Sequence, residues 1–197
     1  AAGWHIGVSV FFVLSGYLVG ALYWRELQQF GDVEIRRFWL RRWLRTVPPY
    51  LVVLQLYFLA KSLQSGGATP YDPRTLLFLQ NYSGLSYFGP SWSLCVEEHF
   101  YIAAPLLLRF VSVGTGSAHL LLIGATALPG VARMASFTLA DSSDMPSGWY
   151  HTHLRCDLLF LGVWLAYVKC FELSLWRRMQ RVARFGAIPA IAALIGY

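Results

Sequence analysis

Apolar residues gather in five runs, 7–24, 47–63, 93–111, 119–139 and 150–168, and a sixth opens near Phe185 and continues as FGAIPAIAALIGY. Each of the five has the roughly 17 to 25 residues that a helix needs to cross the hydrocarbon core of a bilayer. The runs are continuous rather than alternating, and backbone in lipid must satisfy its own hydrogen bonds, so helices are expected instead of strands. Pro48 and Pro49 are expected at a helix start, where a missing N–H is harmless, while Pro105 and Pro129 lie inside runs and predict kinks. Turn formers concentrate in SGGATPYDP, NYSGLSYFGP, VGTGS and DSSDMPSG. The pattern predicts an all-α, polytopic transmembrane helix bundle: five complete membrane helices and the start of a sixth, in one domain over 1–197.

Composition agrees with that reading. Of 197 residues, 56% are hydrophobic and 13% charged, an apolar balance beyond that of an ordinary soluble domain. Many of the eight Trp border the apolar runs, as interfacial belts do. Orientation follows from the basic residues of the connections. The first holds Arg25, Arg36, Arg37, Arg41, Arg42 and Arg45; the second holds Lys61 and Arg74; the third has Arg109 at its edge. The fourth carries Asp141 and Asp144, and the fifth carries Lys169, Arg177, Arg178, Arg181 and Arg184. Connections one, three and five are therefore expected on the cytoplasmic side, so the first run descends from outside to inside. An earlier crossing is then expected before Ala1, and both ends read as truncated. Neither a signal peptide nor a disulfide or metal spacing is visible around Cys95, Cys156 and Cys170.

Three clusters carry candidate chemistry. In PSWSLCVEEHFY, Glu97 and Glu98 stand where an apolar run begins, and charged groups in membrane segments are functional candidates by default. Glu97 shares a helix face with Tyr101, one turn on, while Glu98 points elsewhere. The plainer reading is a helix start capped by Ser91 or Ser93, with the carboxylates favouring the positive end of the dipole. In HTHLRCDLLFLGVWLAY, one continuous helix would pair His151 with Arg155 and His153 with Asp157 at i, i+4. An ion pair of Arg155 with Asp157 or Glu97, holding helices together, competes with a catalytic use; a metal set of His151, His153 and Asp157 matches no known ligand spacing.

The third cluster, RRFWLRRWLRTVPPY, is expected as an interfacial amphipathic element whose arginines reach water or lipid phosphate. The alternative has Arg42 and Arg45, three apart on one face and with Arg41 beside them, gripping a phosphate or pyrophosphate. Nucleic acid is not an expected partner, because no binding module accompanies these arginines. Gly16 and Gly20 form GxxxG, expected as a close helix-packing face. His5 and His99 are read as interface residues. No P-loop, GxSxG or GxGxxG is present.

Together, GVSVFFVLSGYL (7–18), RRWLRTVPPY (41–50), PSWSLCVEEHFY (90–101) and HTHLRCDLLFLGVWLAY (151–167) resemble, in order and spacing, the membrane-bound acyltransferase family 3, the O-acetyltransferase type that modifies bacterial surface sugars. In that family the first stretch usually reads GVDVFFVLSGFL, so Ser9 stands where an Asp is usual. The resemblance implies a bundle of about ten helices in a cell membrane, the inner one in a bacterium, with membrane lipid as its surroundings. It also implies acetyl-CoA or another acyl-CoA as donor on the cytoplasmic side and no metal. The acceptor it implies is an extracytoplasmic hydroxyl of a carbohydrate or secondary metabolite. The family's Arg-x-x-Arg motif falls on Arg42 and Arg45, and its WSLxVEExFY motif on 92–101 with Glu97 and Glu98. Its essential histidine lies in the helix before GVDVFF, and His5 is too close to Gly7 to be that residue. The expected assignments are donor binding for Arg41, Arg42 and Arg45, and a catalytic cavity of Glu97, Glu98, Arg155, Asp157 and His151. The rival readings are a polytopic transporter or flippase, whose intramembrane charges bind a solute or relay protons, and an inactive assembly subunit.

Overall fold

The computed structural model describes residues 2–67, 72–82, 91–139 and 150–195, with side chains from 6 to 185 within those ranges except at 137 and 139. The connection residues Asp141 and Asp144, the turn stretch 83–90 and the side chain of His5 lie outside the described residues. Among the described residues all regular structure is helical: α1 (Ala2–Phe30), α2 (Ile35–Ser65), a 3₁₀ turn (Pro73–Thr75), α3 (Ser91–Leu108), α4 (Gly116–Leu139), a short α5 (Thr152–Arg155), α6 (Asp157–Phe171) and α7 (Leu173–Ile195). Two stretches, Ile6–Phe30 and Gly116–Ser136, are long and apolar enough to cross a membrane.

Pairing between helices fixes their directions. Gly16 lies on Leu159, Gly20 on Val163 and Ala166, and Gln28 Nε2 donates to the Cys170 carbonyl at 3.1 Å, so α1 and α6 run parallel. Helix α3 shares that direction, with Trp92 against Phe12 and Tyr101 against Ser15. Helix α2 opposes α3: Trp39 Nε1 donates to the Tyr101 carbonyl at 3.1 Å near one end, and Leu54 and Leu94 belong to one cluster at the other. Helix α4 opposes α6, joined by His119 to Glu172 at one end and Arg133 to Asp157 at the other. Adjacent long segments therefore alternate in direction, as a serpentine chain in a slab must.

The main core lies among α1, α3, α4 and α6, around Phe12, Trp24, Phe100, Leu122, Val163 and Tyr167. Its tightest seam is α1 on α6. A Cβ on Gly16 would sit 1.9 Å from the Leu159 carbonyl oxygen, and one on Gly162 would sit 2.2 Å from that of Val13. The expected GxxxG face is thus a packing face, and Gly162 is its partner on the opposing helix. On the other side of α1, Ile6, Val10, Leu14, Leu18 and Leu22 are exposed at a strict four-residue spacing. A stripe of that kind is stable against lipid or further helices and not against water.

Three sequence expectations are corrected. Pro48 and Pro49 lie inside α2 rather than at a helix start, because α2 begins at Ile35 and incorporates the arginine-rich stretch expected as a separate interfacial element. Both prolines are exposed, and the carbonyls of Leu44 and Arg45 lose their helical donors to them. The run 150–168 is broken at Cys156, which caps both α5 and α6. The Leu154 carbonyl accepts from Arg133 Nη1 at 2.6 Å, and a side chain inserted into the helical ladder in this way breaks it. The fifth connection is not a loop. After Glu172 the chain re-enters a helix, so Arg177, Arg178, Arg181 and Arg184 all lie on α7.

Candidate functional site

The centre of the candidate site is built on α3. Glu97 and Glu98 end the second turn of a helix that starts at Ser91, past the first turn where the dipole favours an anion. The Ser91 Oγ accepts from Gln80 Nε2 at 3.2 Å. Both are buried, Glu97 at 4% and Glu98 at 2% exposure. Burial of a carboxylate is costly unless cations or donors compensate it, so their surroundings decide what they do.

Glu97 faces the hydroxyls of Ser15 and Tyr101. Those two oxygens are 2.5 Å apart, so one donates to the other and a single hydroxyl proton is left for Glu97. Its Oε1 has no hydrogen-bond partner. Glu98 faces Arg42 and Thr46 of α2. Thr46 spends its hydroxyl proton on the Arg42 carbonyl at 3.1 Å, which leaves both oxygens of Glu98 unpaired. Arg42 is the shared cation: its guanidinium stands 5.2 Å from the centre of the Tyr101 ring and interacts with both carboxylates. One guanidinium therefore stands against two buried carboxyl groups, three of whose oxygens keep unused acceptor capacity. Chemically the group can hold and pass protons between hydroxyls and carboxylates and can orient a polar group entering beside Arg42.

The expected separation of an arginine grip from an acidic pocket is accordingly corrected. Arg42 turns inward to Glu97, Glu98 and Tyr101, while Arg41 and Arg45 are exposed and Arg45 acts on Arg42 only as a like charge. Arg42 reaches them because α2 enters the bundle at Ile35, seven residues before it, carrying the guanidinium about 10 Å along the helix at 1.5 Å per residue.

The second expected cluster divides. Asp157 pairs with Arg133 of α4, Nη2 to Oδ2 at 2.6 Å, and acts on Arg155 as a nearby opposite charge. Arg155 lays its guanidinium 5.4 Å from the centre of the Trp92 ring. His151 precedes α5 and stacks on Tyr82, with ring centres 4.6 Å apart and planes 23° apart. His153 also faces Tyr82, at 6.1 Å and 19°. The i, i+4 pairs drawn from a continuous helix do not form: His151 precedes α5 in extended backbone, and His153 and Asp157 take Tyr82 and Arg133 instead. Arg133 is the site residue that the sequence reading passed over; its signal was an arginine within the apolar run 119–139. His99 is more than an interface residue, since its Nδ1 lies 2.7 Å from the Thr152 hydroxyl, which also takes the Asn81 amide N–H at 3.0 Å. Among the described residues no group of three His, Cys, Asp or Glu side chains is arranged to hold a metal ion.

Comparison with known proteins gives this geometry a context. Residues 4–197 match a family model described as "Acyltransferase domain". The peptidoglycan O-acetyltransferase OatA of Listeria monocytogenes is 29% identical over 192 residues, which are 87% of this chain and 30% of that protein. The O-acetyltransferase OatA of Staphylococcus aureus is 27% identical over 186 residues, covering 85% of this chain and 30% of that protein. A putative O-acetyltransferase of Staphylococcus aureus strain COL is 27% identical over 184 residues, 84% and 30% of the two chains. The chain thus spans about 30% of the length of these relatives. No solved structure matches it.

Proposed function

Since the chain belongs to the family of that acyltransferase domain, we propose that it is part of a multi-pass membrane O-acyltransferase, which moves an acetyl group from cytoplasmic acetyl-CoA to a hydroxyl of an extracytoplasmic carbohydrate. The relative named for peptidoglycan makes that polymer the first acceptor to try. In this reading α1, α2, α3, α4 and α6, the last with α5, are the five crossings, and the arginine-rich starts of α2 and α7 lie on the cytoplasmic side. The arrangement that most supports the reading is the meeting of Arg42 with Glu97, Glu98 and Tyr101 inside the bundle.

The reaction forms a C–O bond from the acceptor oxygen to the acyl carbon and breaks the C–S bond of the thioester. The acceptor proton goes to a base, and the departing thiolate of CoA takes up a proton in turn. Between the two, charge develops on the acyl oxygen and needs a donor. Glu97, with the Ser15 and Tyr101 hydroxyls, is suited to carrying the proton. Arg42, offset from bulk water, is suited to the thioester or phosphate end of the donor, with Arg41 and Arg45 as a cytoplasmic approach. Arg155 and the Arg133–Asp157 pair face the side from which the acceptor would arrive.

Purified full-length protein given radiolabelled acetyl-CoA and peptidoglycan should move label into the polymer. No transfer, with transport of a polar solute intact, would replace this reading by the transporter. Arg42→Lys keeps the cation but loses the fork of donors, so at least a tenfold fall in transfer with the fold retained is expected; an unchanged rate contradicts the role given to Arg42.

A further inference from the structure

The outer end of α3 carries a second group of side chains that the account so far leaves idle. Tyr82 is 43% exposed, and the rings of His151 and His153 lie 23° and 19° from its plane and 41° from each other, so the three rings gather in one aromatic tier. The tier is held from behind. Asn81 Nδ2 donates to the Tyr150 carbonyl at 3.2 Å and to the Thr152 hydroxyl at 3.0 Å, which fixes the residues on both sides of His151. Tyr150, 38% exposed, continues the surface to Trp92, with ring centres 5.0 Å apart, and the Arg155 guanidinium lies over that Trp92 ring.

We propose that this tier, Tyr82 with His151 and His153 and continuing through Tyr150 to Trp92, is the platform on which a sugar ring of the acceptor docks. The proposal rests on the acyltransferase reading above and names the part of the molecule that selects its acceptor class. A pyranose has apolar C–H faces and a rim of hydroxyls. Its faces match flat aromatic surfaces, and its rim matches groups that both donate and accept. Tyr and His supply both from the same side chain. The exposed face of α1 offers aliphatic groups and Phe11, none with a polar side-chain atom, as a surface for lipid would, so the contrast within one molecule argues for a polar ligand at the tier. The adjacent Arg155 then stands where charge develops as an acceptor hydroxyl is acylated.

The test uses purified full-length protein and an oligomer of β-1,4-linked N-acetylglucosamine, read in two ways: ligand-observed saturation-transfer NMR for binding, and label transfer from acetyl-CoA for turnover. Tyr82→Ala should weaken oligomer binding and raise the acceptor KM by roughly tenfold, about 1.4 kcal/mol, while leaving the KM for acetyl-CoA unchanged. Tyr82→Phe, which keeps the ring face and loses the hydroxyl, should weaken binding less than Tyr82→Ala does. Wild-type binding without label transfer would remove the enzyme reading and leave the platform. Unchanged binding in Tyr82→Ala, or no wild-type binding at all, would overturn the platform.

Discussion

The seam between α1 and α6 and the contact between α2 and α3 are both helix pairs inside one bundle, and they are made in opposite ways. In the first, Gly16, Gly20 and Gly162 bring two backbones together so closely that a single methyl group has no room. Van der Waals packing over many atoms holds it, and Trp24 Nε1 and Gln28 Nε2 donate across it to the carbonyls of Val163 and Cys170. In the second, an arginine, a threonine and two carboxylates meet among aromatic rings, and three carboxylate oxygens stay unpaired. Helix α2 turns much of its apolar surface, including Leu44, Val52, Leu56, Leu59 and Leu63, away from the described helices. The dry seam is what a fold needs to be rigid, and the charged contact is stable only because the rest of the bundle holds it in place. The difference separates scaffold from site without reference to any other protein.

The seam is the place where a small change does most. Gly162→Leu should prevent the bundle from assembling, because its Cβ already meets backbone atoms of Val13, Gly16 and Tyr17, which cannot move singly; recovery of monodisperse protein in detergent reads this out. Gly20→Ala, whose new Cβ would be 2.9 Å from Val163 Cα, should cost about 1–3 kcal/mol and lower the melting temperature of a protein that still folds. If Gly162→Leu melted like the wild type, the close approach of α1 and α6 would be wrong.

A polar contact of known geometry comes next in size. Removing Arg133 strands Asp157, which is 9% exposed at its side chain, and should cost about 3 kcal/mol. Arg133→Met with Asp157→Leu should recover most of that loss, since replacing both partners of a buried pair with apolar residues is often neutral. Additive losses in melting temperature would mean that the two are not partners.

Much of this could be read from residue order, and what could not was non-local. Spacing within one helix was enough for GxxxG and for the shared face of Glu97 and Tyr101, because 3.6 residues per turn needs no knowledge of neighbours. Arg133 was visible as an arginine in an apolar run, but its carboxylate partner lies 24 positions away in another helix. The contact of Arg42 with Glu97 and Glu98 depends on where α2 starts and on the register between α2 and α3, neither of which has a period in the sequence. The continuation of α2 through two prolines was hidden for a related reason: whether a lost hydrogen bond matters depends on which way the exposed side faces. The break at Cys156 was hidden because its cause, Arg133 on the Leu154 carbonyl, belongs to a different segment.

The proposal that Arg42 and the two glutamates form one unit is tested most directly by a double-mutant cycle on purified full-length protein, with Arg42→Met and Glu98→Gln made singly and together and stability read from thermal unfolding. Groups in one charged network couple by about 0.5–3 kcal/mol, so the double variant should be clearly more stable than the sum of the single losses predicts. Losses that add to within about 0.5 kcal/mol would place Arg42 and Glu98 in separate parts of the molecule and contradict the account.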